Sequence, residues 1–281
     1  MTVLLVTADR DEPGLGSLAA GEPGHEALDA ELASRGIEAR WVCWDDPEVD
    51  WRGADLVAVR STWDYTGRWA EFLTWARSLD QSRLLNGADV FAWNVDKAYL
   101  SRLPDGIGVP TVAPADADEL RAAVARFGRC VVKPRTGAGG EGVLVVDDPA
   151  DPRLTDLRVV VQPLVESVRT AGEVSVYVLD GLAVAQVQKW PVGEEVRVHE
   201  HFGGRTEPVD PDPECLAAAL AGVAVAAEFG GRSLDYARID LLHHEGAWRV
   251  SEIEATEPGL YLDVMPGNAV PFADLVQRRL G

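Results

Sequence analysis

Asp240, Glu252 and Glu254 stand on two short strand-like segments, Arg238-Ile239-Asp240-Leu241-Leu242 and Val250-Ser251-Glu252-Ile253-Glu254. Side chains alternate along a strand, so Glu252 and Glu254 share one face while Ile253 takes the other. Two carboxylates side by side repel each other unless a cation lies between them. If the segments pair through His243-His244-Glu245-Gly246-Ala247, Asp240 joins the same face. Three hard oxygen donors suit Mg2+, which keeps several waters and bridges nucleotide phosphates. The plain alternative is an edge strand carrying scattered, solvated acids.

Only three lysines, Lys97, Lys133 and Lys189, occur among the 26 Lys+Arg residues. A chain that otherwise solvates itself with arginine keeps a compact, mobile ammonium where a phosphate needs one. Lys133 ends the apolar run Cys130-Val131-Val132 and faces Gly137-Ala138-Gly139-Gly140-Glu141-Gly142. That loop formally matches GxGxxG, yet a dinucleotide fingerprint must open a helix, and Val143-Leu144-Val145-Val146 is β-branched and apolar. No Lys-Ser/Thr follows it, so it is not a Walker loop either. What remains is strand, glycine turn, strand: a flap whose backbone N–H groups can close over phosphates. Arg197 and His199, ahead of Gly203-Gly204, are expected on one strand face, where the guanidinium offers a fork to a phosphoryl group. His199 and His201 find no third nitrogen or sulfur ligand nearby. Arg60-Ser61-Thr62-Trp63-Asp64-Tyr65 follows a strand ending at Val59 and reads as a substrate loop, since ligands gather beyond the carboxyl ends of parallel strands.

These groups need a scaffold. Apolar strands are expected over residues 3–6, 37–44 and 56–59, the first ending in a Gly- and Pro-rich loop, with a helix over 26–34. Trp69, Phe72, Leu73 and Ala76 recur on one helical face. Strands separated by helices imply a parallel sheet. Gly106-Ile107-Gly108-Val109-Pro110-Thr111 reads as a boundary. Beyond it come a helix over 119–127, strands to Lys133 and over 143–146 and 159–163, a strand-rich stretch from Glu173, and a small-residue helix over 213–229. Strands over 237–242 and 248–254 follow, making the class α/β (α+β).

The formal net charge of -20 excludes a nucleic-acid partner, whose phosphates it would repel. Three cysteines without a CxxC pair point to a reducing compartment with neither disulfides nor a zinc knuckle, Cys43 and Cys130 being buried thiols. The start of the chain is too short for a signal peptide, and no apolar run approaches a membrane span, so a cytoplasmic protein is expected.

In this order the pieces resemble the ATP-grasp superfamily, on the branch of prokaryotic glutathione synthetase and the ribosomal-protein glutamate ligases, from about residue 60 to 263. Val131-Val132-Lys133-Pro134 with Thr136, Gly137, Gly139, Gly140 and Gly142 is similar to the phosphate-covering segment, and Lys97 to the earlier phosphate lysine. Gln162, Pro163, Leu164 and Val165 resemble the hinge that reads adenine, with Glu166 or Glu173 near the ribose. Asp240, Glu252 and Glu254 match the two-magnesium cluster, Glu254 standing where many members carry Asn. Arg197-Val198-His199 resembles an Arg-x-Asn pair, with His in place of Asn. The Arg60–Tyr65 loop, Trp93-Asn94 and Glu254-Ala255-Thr256-Glu257-Pro258 look most like the O-ureido-serine cyclo-ligases of D-cycloserine formation.

The resemblance implies an ATP-grasp fold: an N-terminal parallel-sheet domain over 1–108, a lid subdomain over 109–165, and a C-terminal subdomain over 166–281, the last two sandwiching the nucleotide. It implies a Mg·ATP-dependent ligase that activates a carboxyl-type group as an acyl phosphate for attack by an amine, within one molecule or from a second amino acid. Two Mg2+ ions are implied, with Mn2+ able to replace them. Lys189, Arg197 and Arg238 would be catalytic. Arg60, Ser61, Asp64, Tyr65, His199, Gly203 and Gly204 would surround an amino-acid-like small molecule, in a homodimer. A phosphotransferase and a nucleotide-binding module without turnover are the rival readings.

Overall fold

The computed structural model describes residues 1–8, 11–12, 16–17 and 21–281. Strand β1 (Thr2–Thr7) is apolar without alternation because it is central, pairing in parallel with residues 38–43 and 56–61 at once. A short antiparallel ribbon of β2 (Asp11–Glu12) and β3 (Gly16–Ser17) follows it. Residues 9–10, 13–15 and 18–20 of the expected Gly- and Pro-rich loop lie outside the described residues. Helix α1 (Glu26–Ser34) buries Leu28 and Leu32, four residues apart, and leads to β4 (Glu38–Cys43). Strand β5 (Leu56–Ser61) is buried along its whole length. Helix α2 (Trp69–Ser78) buries Phe72, Leu73 and Ala76, whereas Trp69, expected on the same face, is exposed in the first turn. Cys43 is only half-buried, correcting its expected place in the core, while Cys130 and Cys215 are buried. Helix α3 (Ala88–Asn94) and a 3-10 turn over Lys97–Arg102 close the first unit.

The chain then lies along the last strand, where Val109 N–H donates to Val250 O at 2.9 Å. Helix α4 (Ala117–Phe127) is capped by Asp116, whose carboxylate accepts from the N–H groups of Asp118 and Glu119. It covers an antiparallel sheet of β6 (Cys130–Pro134), β7 (Leu144–Val146) and β8 (Val159–Pro163), with β6 central. Turns, not a helix, join β6 to β7, as the β-branched residues after the glycines require.

The last unit is a five-stranded antiparallel sheet. Its strands are β9 (Glu173–Leu179), β10 (Leu182–Trp190), β11 (Arg205–Pro208), β12 (Tyr236–His244) and β13 (Ala247–Glu254), in the order β11-β10-β9-β12-β13. Glu245 and Gly246 both take positive φ in the β12–β13 turn, as a tight hairpin demands. Residues 195–199 are not a strand: β10 ends at Trp190 and β11 begins at Arg205, so this stretch is their connection. Arg197 and His199 therefore share no strand face. Helix α5 (Pro213–Gly230) packs along β13, β12 and β9 through Cys215, Ala219, Gly222 and Ala226. By length and composition it reaches a membrane span, contrary to the expectation that no segment would. Helix α6 (Ala269–Leu280) returns to α1, and Phe272, Leu275 and Val276 share one core with Val3, Leu5, Leu28 and Tyr177.

Candidate active site

The β12–β13 register sets Arg238 opposite Glu254 and Asp240 opposite Glu252. Residues two apart on a strand point the same way, so all four side chains occupy one face. Ile253 points away into the core against α5. Strand β9 continues the row with Ser175 beside Asp240, and β10 adds Lys189 beside Glu173.

Arg238 grips Asp240 with Nε and Nη2, both at 2.9 Å, and reaches Glu254 at 2.5 Å. Ser175 Oγ donates to Asp240 at 2.5 Å, while Lys189 Nζ lies 2.7 Å from Glu173 and 3.6 Å from Asp240. Burial alone would lift the Asp240 carboxyl, but the Arg238 and Lys189 charges outweigh it and hold Asp240 well below the carboxylate range. The same carboxylates raise Lys189 against its own burial. Lys97 comes from the 3-10 turn, 3.0 Å from Glu252, and donates to Gly137 O at 2.5 Å. Asp96 pairs with Arg135, and Lys97 N–H donates to Arg135 O at 2.8 Å, which ties this turn to the base of the flap.

Among the described residues no three metal-type ligands converge tightly enough to hold an ion by themselves. Asp240, expected as a vacant ligand beside Glu252 and Glu254, is engaged by Arg238, Lys189 and Ser175. Charge on this face is nevertheless under-compensated. Burial, then repulsion from Asp240, Glu252 and Glu257, pushes Glu254 up to about 8 despite Arg238 beside it. Burial, then the field of Glu252, pushes Glu257 up to about 7. Hard-oxygen donors short of positive charge fit Mg2+, which takes one or two carboxylates and completes its shell with phosphates and water.

A pH prediction follows. Glu254 and Glu257 bind a proton more tightly folded than unfolded, where the ordinary value is 4.5. Their contribution to stability is full below that value and is lost as pH rises through about 7 and about 8. Asp240 is depressed and loses its contribution only in strong acid, so it adds no slope here. The ligand-free protein is expected to melt progressively lower between about pH 5 and about pH 9. A flat or rising melting curve over that window would contradict the environment described for these two acids.

Two cavities meet at this face and share Lys97, Gly137, Gly139, Arg238, Glu252 and Glu254. One has apolar walls, Val109, Val131, Leu164, Val165 and Leu242, and includes the cations Lys133, Lys189 and Arg197 in its lining. Gln162, Pro163, Gly140 and Glu173 also line it, and His199 borders both. Arg197 stacks 3.5 Å above the Phe202 ring and pairs with Glu195, whose carboxyl it holds down to about 2. The other cavity is acidic and aromatic, with Glu22, Trp63, Tyr65, Glu257, Tyr261 and Asp263 in its wall.

Several expected residues stand outside these walls. Arg60 is fully buried, bound to Glu22 at 3.0 Å and to Pro258 O at 2.7 Å. Ser61 is buried on Thr7, and Asp64 accepts from Trp44 Nε1 at 3.0 Å. Of that loop only Tyr65, with Trp63 and Thr66, reaches the cavity. Glu166 pairs with Arg129 and Arg169, so Glu173 and not Glu166 lines the nucleotide-sized cleft. Thr136, Gly142, Gly203 and Gly204 are not in either wall; a side chain at Gly204 would strike Val198 O at 1.9 Å, which makes it a turn residue. Glu22 and Tyr261 carry no sequence signal, whereas Asn94 and Glu257 lie in the Trp93-Asn94 and Glu254–Pro258 motifs without a site role assigned to them.

The chain matches, over residues 3–86, the family described as D-cycloserine synthetase DcsG, N-terminal domain. It is 31% identical to the cycloserine biosynthesis protein DcsG of Streptomyces lavendulae over 269 residues, covering 87% of this chain and 90% of that one. It is 29% identical to the glutathione synthetase of Prochlorococcus marinus over 198 residues, covering 67% of this chain and 61% of that one. A crystal structure of D-cycloserine synthetase DcsG superposes with a TM-score of 0.84 at 28% identity over 100% of both chains. The D-alanine–D-alanine ligase of Bacillus anthracis shares the fold, with a TM-score of 0.65 at 16% identity over 100% of this chain and 97% of that one.

Proposed function

Because this chain belongs to the D-cycloserine synthetase family of ATP-grasp enzymes and is an ATP-dependent C–N ligase, we propose that it closes a small ring on an O-ureido amino acid. The observation that supports this reading is the meeting of an apolar-walled cleft that carries lysine and arginine side chains with an acid-lined cavity at one sheet face.

Adenine would lie between Val131, Leu164, Val165 and Leu242 against the backbone of 162–165, with the phosphates toward Lys97, Lys133, Lys189 and Arg197. The substrate carboxylate would enter from the acidic cavity and meet the γ-phosphate beside Arg238. Its oxygen attacks phosphorus, ADP leaves, and an acyl phosphate forms. The ureido nitrogen of the same molecule then attacks the acyl carbon, loses its proton, and expels phosphate as the C–N bond closes. Lys97, Arg238 and Arg197 offset the negative charge that develops on the transferring group. The glycine flap over residues 137–142 excludes water, which matters because an acyl phosphate hydrolyses. Glu252 and Glu254 would hold Mg2+, with Asp240 available only if it left Arg238 and Lys189, and the ion would supply charge neutralisation at the phosphate end. Two ions, replaceable by Mn2+, a cytoplasmic location and a homodimer belong to the same reading, on the likeness to ATP-grasp ligases.

The test is ADP release and product mass with Mg·ATP and O-ureido-serine, alongside amino acids and dipeptides. ADP, phosphate and a cyclic product are expected. An open-chain peptide product would instead assign intermolecular ligation, and a stable phosphorylated product would assign phosphotransfer.

A further inference from the structure

Glu257 is a buried carboxylate for which the ligase chemistry above has no task. Its backbone is fixed from several sides. Trp63 Nε1 donates to Glu257 O at 3.1 Å, Arg60 holds Pro258 O, and the Asn94 side chain accepts from Ala255 and Thr256 N–H at 2.9 and 3.0 Å. The residue is 7% exposed, its carboxyl neighbours the Tyr65 hydroxyl, and it lines the acidic cavity. No lysine, arginine or histidine among the described residues stands in ion-pair contact with it. Lys97 is committed to Glu252 and Arg238 to Asp240 and Glu254.

A buried carboxylate without a cation is costly, and such groups are ordinarily paired. Glu257 lines the cavity, so a partner can reach it there. Trp63, Tyr65 and Tyr261 also line that cavity, and aromatic faces attract cations. Lys97, Arg238 and Glu257 stand in the wall of this one cavity, which therefore presents cationic and anionic groups together. A ligand that satisfies both carries an anionic group for Arg238 and an ammonium for Glu257.

We propose that Glu257, held by Tyr65, seats the substrate's ammonium group and makes the enzyme selective for a free amine over its N-acylated form. This rests on the ligase reading and names its specificity residue. The carboxylate–ammonium contact orients the molecule so that its carboxyl end meets Arg238, and a neutral amide in its place would leave Glu257 desolvated and unpaired.

The test compares substrate-dependent ADP release for O-ureido-serine and its N-acetyl derivative in the parent, E257Q and Y65F. In the parent the free amine is expected to be preferred. E257Q should raise the KM of the free amine roughly ten- to a hundred-fold, with the KM for ATP unmoved and kcat changed far less. The preference over the N-acetyl derivative should collapse with it, and Y65F should shift both quantities in the same direction by less. An unchanged substrate KM in E257Q, a loss confined to kcat, or a parent that turns over the N-acetyl compound equally well overturns the assignment. Product mass separates the two readings: an open-chain product sinks ring closure while leaving the Glu257 comparison intact.

Discussion

Glu252→Gln is expected to lower substrate-dependent ADP formation by at least about 10²- to 10³-fold, the scale of removing one preorganised electrostatic contact from a transition state. The substitution keeps the shape of the side chain and deletes its charge. Glu252 stands opposite Asp240 in the hairpin register and pairs with Lys97 at 3.0 Å, so it links the sheet face to the lysine that also holds Gly137 O. Its side chain is 24% exposed, so the fold does not depend on its charge, and stability should stay within about 1 kcal/mol of the parent. A coupled ADP assay at saturating Mg·ATP, read beside a denaturant titration, separates the two effects. Parental turnover in this variant would remove Glu252 from the reacting centre.

Arg60→Ala should act on the opposite quantity, unfolding free energy. The Arg60 side chain is wholly buried, bonds Glu22 at 3.0 and 3.1 Å, and lies 4.5 Å from the Phe272 ring centroid. Removing it strands a buried carboxylate and opens a void beside the C-terminal helix. Breaking one side of a buried pair costs about 3–5 kcal/mol, and the void adds to that. Urea titration should show the midpoint falling accordingly, and the double variant Glu22→Gln/Arg60→Met should recover part of the loss, since no charge is then left unpaired. Parental stability with a selectively raised substrate KM would return Arg60 to the ligand-binding surface.

The contrast between Glu252 and Arg60 shows where the sequence was legible. Alternation along β12 and β13, and the turn between them, are local properties, and they place Arg238, Asp240, Glu252 and Glu254 on one face without knowledge of the rest. The β-branched residues behind the flap likewise forbid a helix there. Arg60 was misread because its partners lie 38 and 198 residues away, so nothing nearby announces that the strand end is covered. Arg197 and His199 differ from expectation for a related reason: a strand needs a pairing strand, and among the described residues their segment joins no sheet. Glu257, Tyr261 and Asn94 converge only after the chain beyond β13 crosses to the first sheet, a tertiary event with no periodic signature.

Helix α6 carries a consequence for biosynthesis. Phe272, Leu275 and Val276 complete the apolar interior around Val3, Leu5 and Leu28. A nascent chain therefore cannot seal this parallel-sheet module until residues 269–280 have left the ribosome. The parallel sheet must wait, with part of its greasy side uncovered, while the two later sheets are synthesised. Chaperone dependence and sensitivity to nonsense truncation should accordingly be concentrated at the amino-terminal module, far from the lesion itself.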